Sequence, residues 1–135
     1  SIMSEGFKLE IVNPEKSFLT KDGVSEVVVP AFEGDMGILK DHISIISFLK
    51  PGLVKVFASN SSEEIYYVED GIIEFKNNCL SILTSNIFDV KKIEKTKVKY
   101  ILDKAEKDGQ KSNISDQEKY LIDHKIEVLK SLNIN

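Results

Sequence analysis

The sequence predicts a mainly β protein with an α-helical tail: an N-terminal antiparallel β-sandwich or flattened barrel, then an antiparallel two-helix hairpin. Short apolar segments between turn residues fill the first part, and apolar residues at helical spacing follow. All seven Phe and all three Pro lie in residues 1–90, which carry a net charge of −7, whereas residues 91–135 carry +3. We therefore expect a β-sandwich domain over 1–90 and a helical hairpin over 91–135.

The strands are expected where β-branched and aromatic residues alternate with polar ones between turn signals. The expected strand positions are 7–12, 24–30, 52–58, 65–68, and the segments around Ile73 and Ile82. Asp70-Gly71 is a favoured two-residue hairpin turn, and Asn77-Asn78 predicts a second tight turn. Regular short strands without intervening helices favour an antiparallel sandwich.

The two helices are expected from apolar stripes and end signals. The first stripe consists of Val98, Ile101, Leu102 and Ala105. Gly109 is a natural stop, and Ser115 with Glu118 forms a capping box for the second helix. The second helix has a broad apolar face made of Leu121, Ile122, Val128, Leu129 and Leu132. Lys125 lies in the middle of that face, which is unusual for a permanently buried helix.

No motif in the chain predicts an active site. Asp41 and His42 are adjacent, and neighbouring side chains of an extended segment point to opposite faces, so an acid–base pair is disfavoured. His42, Cys79 and His124 lack metal-ligand spacing, so no metal site is expected. All 18 basic residues are Lys, which excludes an arginine finger within this chain. The net charge of −4 disfavours nucleic-acid binding.

A lysine cluster precedes and begins the first helix. It consists of Lys91, Lys92, Lys95, Lys97 and Lys99. Such a run is usually a solvated face, and the competing interpretation is a basic patch that contacts an acidic protein partner.

The front half resembles the epsilon-subunit family of F-type ATP synthases, called delta in mitochondria. The resemblance rests on Glu33-Gly34-Asp35-Met36-Gly37-Ile38 with a following His42, on Lys50-Pro51-Gly52, and on Asp70-Gly71-Ile72-Ile73-Glu74-Phe75. The family pattern places Gly where Asp70 stands. It usually continues Pro-Gly-His-x-Pro where this chain has Lys40-Asp41-His42-Ile43-Ser44.

The resemblance implies a non-catalytic central-stalk subunit that couples the gamma subunit to the membrane c-ring. It implies c-ring contacts at Glu33, Asp35 and Met36, and a gamma contact at His42. The tail would be regulatory, inhibiting ATP hydrolysis by reaching the catalytic alpha and beta subunits. The implied location is peripheral, on the cytoplasmic face of the energy-coupling membrane, or on the matrix or stroma side in an organelle.

Some members of the family bind ATP on the first tail helix through an Ile/Leu-Asp-x-x-Arg-Ala motif. Leu102 and Asp103 match its start, but Glu106 occupies the arginine position. No cofactor is therefore expected, and ATP binding is disfavoured. The alternative function is a freestanding β-sandwich adaptor that binds a peptide or protein at a sheet edge. A hydrolase with a shallow site is a third, weaker alternative, because no motif supports it.

Overall fold

Nine strands followed by two helices make up the fold, as a computed structural model of the protein shows for residues 5–15, 17–59 and 61–132. The strands are β1 (Phe7–Val12), β2 (Ser17–Ala31), β3 (Gly34–Leu39), β4 (Ile45–Leu49), β5 (Gly52–Ala58), β6 (Glu64–Val68), β7 (Gly71–Lys76), β8 (Cys79–Leu83) and β9 (Ile87–Asp89). The helices are α1 (Lys95–Gly109) and α2 (Asp116–Ser131). The predicted fold class, a β-sandwich with a helical hairpin, is confirmed.

The strands form two layers that share β2. Sheet A consists of the first part of β2 followed by β1, β8, β7 and β4; sheet B consists of β3, the second part of β2, β5, β6 and β9. Every pair is antiparallel except β1–β8, which is parallel. The expectation of a purely antiparallel sandwich is wrong at this pair, because β1 and β8 are joined through many intervening strands rather than by a hairpin.

Two glycines allow β2 to turn from one sheet into the other. Gly23 has a φ of +67°, and the β1–β2 register shifts between Phe7 and Leu9 at the same level. Gly6 has a φ of +86°, and a Cβ there would lie 2.7 Å from the carbonyl oxygen of Val24. Only glycine fits a backbone that approaches another this closely.

The core lies between the sheets and follows the period-2 alternation of the strands. In β1, buried apolar residues alternate with more exposed ones, and Leu9 and Ile11 are fully buried. Phe7 and Phe75 meet edge to face at 5.5 Å between ring centroids. Full burial of each such side chain contributes about 1.5–3 kcal/mol before entropy is counted.

The Asp70-Gly71 segment is not a hairpin turn, contrary to the sequence prediction. β6 pairs with β5 and β9, whereas β7 pairs with β4 and β8, so this dipeptide carries the chain from sheet B to sheet A. The Asp70 carboxylate accepts hydrogen bonds from the Ser85 backbone N–H at 3.1 Å and the Ser85 hydroxyl at 2.8 Å. Gly71 has a φ of +152°, and a Cβ there would lie 2.6 Å from the Leu83 carbonyl oxygen. The residues that favour a hairpin turn serve here as a tether between layers.

The Asn77-Asn78 turn is confirmed. Both residues have positive φ, +51° and +53°, and they join β7 to β8 with Lys76 opposite Cys79. Asparagine tolerates this left-handed conformation better than other non-glycine residues.

The hairpin of helices packs on the outer face of sheet B. Leu53, Tyr67 and Phe88 are neighbours across β5, β6 and β9, and Tyr67 stacks on Phe88 at 4.9 Å. Val98 of α1 and Leu129 of α2 pack against this row. The predicted capping box is confirmed: the Ser115 hydroxyl accepts from the Glu118 N–H at 3.1 Å, and the Glu118 carboxylate accepts from the Ser115 N–H at 3.0 Å.

The division into domains at residue 90 stays a prediction. The main core consists of residues from the strands alone, and Val98 and Leu129 belong to a second, smaller cluster. We expect a chain of residues 1–90 to unfold cooperatively, because its core keeps all its partners. Thermal unfolding followed by circular dichroism checks this expectation. A broad, non-cooperative transition in this fragment, beside a sharp one in the full chain, would show that the hairpin belongs to the obligatory core.

Candidate interaction surfaces

The outer face of sheet A carries a row of exposed apolar residues. Phe48, Ile72 and Leu83 are neighbours across β4, β7 and β8, and their exposed fractions are 59%, 41% and 50%. Phe32 lies beside them, since its N–H donates to the Phe48 carbonyl at 3.3 Å. We call Phe32, Phe48, Ile72 and Leu83 the apolar strip. It borders a shallow groove of about 630 Å³.

This strip is the functional feature that sequence reasoning missed. The sequence shows that these residues alternate with buried ones, but it does not show that they meet side by side on one face. Contiguous exposed apolar surface is a recognised sign of a protein contact. Sheet B has no such uncovered row at Leu53, Tyr67 and Phe88, because the chain's own helices lie there.

The residues expected to contact the c-ring lie in the β2–β3 turn and in β3. They are Glu33, Asp35 and Met36. Glu33 is exposed in the turn, and Asp35 is exposed opposite Pro30 in the β2–β3 ladder. Met36 is half-buried and packs against the main core. Residues 34–37 belong to a strand, because β3 pairs with β2 from Gly34 onward. Glu33 and Asp35 are available to a partner, whereas Met36 faces inward.

His42 lies at the opposite end of β3, in the turn that leads to β4. Its ring stands edge-on to Phe75 at 5.9 Å between centroids, and Nδ1 lies 2.8 Å from the Ile43 carbonyl oxygen. The assumption that Asp41 and His42 belong to an extended segment is wrong, because Asp41 has a φ of +68°. Asp41 and Asn78 are linked twice: the Asp41 N–H donates to Asn78 Oδ1 at 2.7 Å, and Asn78 Nδ2 donates to Asp41 Oδ1 at 2.9 Å. Asp41 is thus engaged in joining two turns.

The five lysines of the cluster differ in their contacts. All five lysines are exposed. Lys91 donates to the Glu63 carbonyl oxygen at 2.8 Å, Lys99 pairs with Asp103 at 3.1 Å, and Lys97 lines a cavity between the hairpin and sheet B. Lys92 lies near Glu64 of β6, and Lys95 is the first residue of α1. Whether the cluster contacts an acidic partner stays a prediction.

Lys125 has a carboxylate partner in the docked hairpin. Its ammonium lies 2.6 Å from the Glu69 carboxylate, and the two side chains are only 22% and 24% exposed. The pair borders a cavity of about 340 Å³ that Tyr67 and Phe88 also line. A lysine within an apolar stripe is thus explained by an acid on the β6–β7 connection. In the sequence, Lys125 and Glu69 are only two distant residues of opposite charge, and nothing there indicates that they form a pair.

The residues at the positions of the ATP-binding motif make contacts within the helical hairpin. Leu102 is half-buried against the smaller cluster, and Asp103 pairs with Lys99. Glu106 pairs with Lys130 at 3.7 Å, which links α1 to α2. A carboxylate at this position repels phosphate, and the absence of ATP binding stays a prediction.

The remaining polar network lies on β2 and β6. Tyr66 donates to Glu64 Oε1 at 2.7 Å, and Lys21 lies 3.0 Å from Glu64 Oε2. The hydrogen bond from Tyr66, assisted by Lys21, lowers the pKa of Glu64. Burial, together with the neighbouring Glu64, raises the pKa of Tyr66. These are features of a structural ion pair between strands.

Neither a metal centre nor a membrane-spanning helix emerges from the part of the chain that the structure describes. Within residues 5–15, 17–59 and 61–132, no three metal-ligating side chains cluster. In the same residues, neither helix is long and apolar enough to cross a membrane.

Comparison with known proteins decides the family. The family model described as "ATP synthase, Delta/Epsilon chain, beta-sandwich domain" matches residues 6–90. The chain belongs to this family. It is 68% identical over 131 residues to the ATP synthase epsilon chain of Pelagibacter ubique, covering 97% of this chain and 100% of that protein. The resemblance drawn from the sequence is therefore confirmed.

One further relative and two solved structures are less similar in sequence. The ATP synthase epsilon chain of Dichelobacter nodosus is 35% identical over 105 residues, covering 78% of this chain and 73% of that one. A chain of the Euglena gracilis mitochondrial ATP synthase superposes with a TM-score of 0.73 at 18% identity, covering 96% of this chain and 81% of that chain. A chain of the Tetrahymena thermophila mitochondrial ATP synthase gives 0.69 at 18% identity, covering 94% and 97%. These two structures show that the delta/epsilon fold extends over both helices.

The Glu64 network predicts a pH-dependent contribution to stability. Because the folded-state pKa of Glu64 is lowered, its stabilisation is present above the ordinary glutamate pKa of 4.5 and is lost as pH falls through the folded-state value. We expect Glu64→Gln to lower the free energy of unfolding at about pH 7 and to differ little from wild type at about pH 3. Urea unfolding at both pH values measures this difference. Glu63→Gln is the control, and a loss that is equal at both pH values would contradict the prediction.

Proposed function

We propose that this chain is a non-catalytic central-stalk subunit of an F-type ATP synthase, which couples the gamma subunit to the c-ring. The main observation behind the proposal is a difference between the two outer faces of the sandwich. Helices of the same chain cover the face of sheet B, whereas the apolar strip of sheet A is left for another protein. Family membership and the epsilon-chain name of the 68% identical relative support the same assignment.

The gamma subunit is the proposed occupant of sheet A. His42 and the 75%-exposed Ile43 border this face at one end, and the apolar strip occupies the other. The strip is large and aromatic enough to anchor a stable contact, and such residues dominate binding energy when they are fully desolvated. A freestanding adaptor that adds a strand at a sheet edge is less well supported, because the exposed apolar residues lie on a face rather than at an edge.

The c-ring is the proposed partner of Glu33 and Asp35. Both carboxylates are exposed at the β2–β3 end of the sandwich. In this position they are free to meet polar or basic loops without a desolvation penalty inside the subunit. Met36 supports the strand from the core side. This contact makes the subunit peripheral to the energy-coupling membrane, on the side where the catalytic subunits lie.

The helical hairpin is the proposed regulatory element. It rests on sheet B through a small apolar cluster and the Lys125–Glu69 pair, separate from the main core that the strands share. The basic residues of the tail would contact acidic surfaces of the alpha and beta subunits once released. ATP binding is not part of the proposal, since Glu106 is paired with Lys130.

Substitution of Phe48 tests the gamma contact. We expect Phe48→Asp to weaken binding to the purified gamma subunit about thirtyfold or more, because it places a charge in the centre of the apolar strip. Tyr120→Asp is the matched control, since Tyr120 is 55% exposed on α2 and Phe48 is 59% exposed. Calorimetric titration measures both affinities. Unchanged binding by Phe48→Asp, with a loss in Tyr120→Asp, would move the gamma contact to the hairpin.

Removal of residues 91–135 tests the regulatory role. We expect the assembled enzyme to keep proton-driven ATP synthesis and to hydrolyse ATP at least as fast as the enzyme with the full chain. The reason is that the strip and the β2–β3 turn remain, while the basic tail is gone. Both activities are measured on the same membranes, at low and high salt, because screening should reduce inhibition by an exposed basic segment. Failure of assembly would show instead that the hairpin braces the sandwich.

A further inference from the structure

The outward side chains of sheet A form rows across the strands, and the rows differ in polarity and charge. The apolar strip runs across β4, β7 and β8. The next row consists of Ile46, Glu74, Ser81 and Glu10, which are register neighbours across β4, β7, β8 and β1. The third row contains Lys76, Cys79 and Lys8. Successive rows lie roughly 7 Å apart, because two residues separate them along each strand.

Glu74 occupies the centre of this face. Shallow depressions of about 340 Å³ and about 330 Å³ lie on its two sides, and Ile46 and Ile72 line them with it. Glu74 as a residue is half-buried, and none of the ion pairs among the described residues includes it. Lys76 is two residues away on the same strand, yet it makes no such pair. Glu10 lies roughly 10 Å from Glu74, two strands across, and adds negative charge.

A partner that covers the apolar strip also covers Glu74. The carboxylate would then lose its water, and a charge buried without a counter-charge opposes binding. A purely apolar partner surface is therefore unsuitable. The same partner surface must supply a cation at the second row, next to its own apolar ridge.

We propose that the partner places a lysine or arginine side chain against the Glu74 carboxylate, so that Glu74 determines which surface docks and in which orientation. The inference rests on the proposed function, in which the gamma subunit occupies this face. The order of the rows requires an apolar ridge, then a basic row, then a surface compatible with Lys76 and Lys8. A partner rotated by half a turn would set its ridge against the lysines and is rejected.

The test compares Glu74 variants for binding to the purified gamma subunit of the same complex. We expect Glu74→Gln to bind about tenfold or more weakly, because the partner's cation loses its counter-charge while the apolar contact remains. Glu74→Lys should bind more weakly still. The affinity of the wild type should fall with added salt, and that of Glu74→Gln should fall less steeply. Glu127→Gln, on the exposed side of α2, is the matched control with the same change of charge.

Each outcome decides a separate point. Wild-type or tighter binding by Glu74→Gln, with Phe48→Asp still defective, overturns the inference and leaves the proposed function standing. Failure of the wild-type chain to bind the gamma subunit overturns both. An equal loss in Glu74→Gln and Glu127→Gln shows only a long-range effect of net charge and also overturns the inference. Thermal unfolding of each variant verifies that a loss of binding does not come from a loss of fold, which is not expected at an outward-facing position.

Discussion

The passage of β2 from one sheet to the other is the constraint on which the rest of the fold depends. Its fifteen residues pair with β1 at one end and with β3 and β5 at the other, so this strand belongs to both layers and constrains how they face each other. The bend requires Gly6 and Gly23, since the backbone at Gly6 comes too near Val24 to admit a Cβ. Once β2 is bent, the inner faces of both sheets meet as the core and their outer faces become available for other contacts.

The sequence predicts the features that depend on neighbours along the chain. Most of the wrong predictions concern contacts between residues far apart in the sequence. Strand periodicity, the Asn77-Asn78 turn and the Ser115–Glu118 cap depend on neighbours along the chain, and all three are confirmed. Asp70-Gly71 has the local chemistry of a hairpin, yet it is bound to Ser85 and joins different sheets. Partner choice among strands depends on which faces meet in the core, and a single sequence does not specify that. For the same reason the apolar strip is visible only in three dimensions, while Glu33, Asp35 and His42 came from family resemblance.

Lysine is the only basic residue apart from two histidines in this chain, and this limits the stabilisation that each ion pair contributes. An ammonium group makes a point contact, whereas a guanidinium group makes a two-pronged one. The pairs along the helices, such as Lys99–Asp103 and Lys119–Asp123, are exposed and contribute about 0.3–0.5 kcal/mol each. Lys125–Glu69 is the pair with the least exposed side chains and joins the hairpin to the sandwich. The docked position of the hairpin is therefore specified by one half-buried charge pair and a small apolar cluster.

The buried hydroxyl of Tyr67 disfavours docking of the hairpin on sheet B. Tyr67 is 1% exposed beneath the hairpin, and its Oη has no hydrogen-bond partner among the residues that the structure describes. Burial raises the pKa of Tyr67, so the group stays a neutral hydroxyl whose hydrogen-bonding capacity is unused. A buried polar group without a partner costs about 1–3 kcal/mol. Its ring favours contact with Phe88 and Leu129, whereas its hydroxyl gains no hydrogen bond to the described residues, so a single side chain both favours and opposes the docked position of the helices.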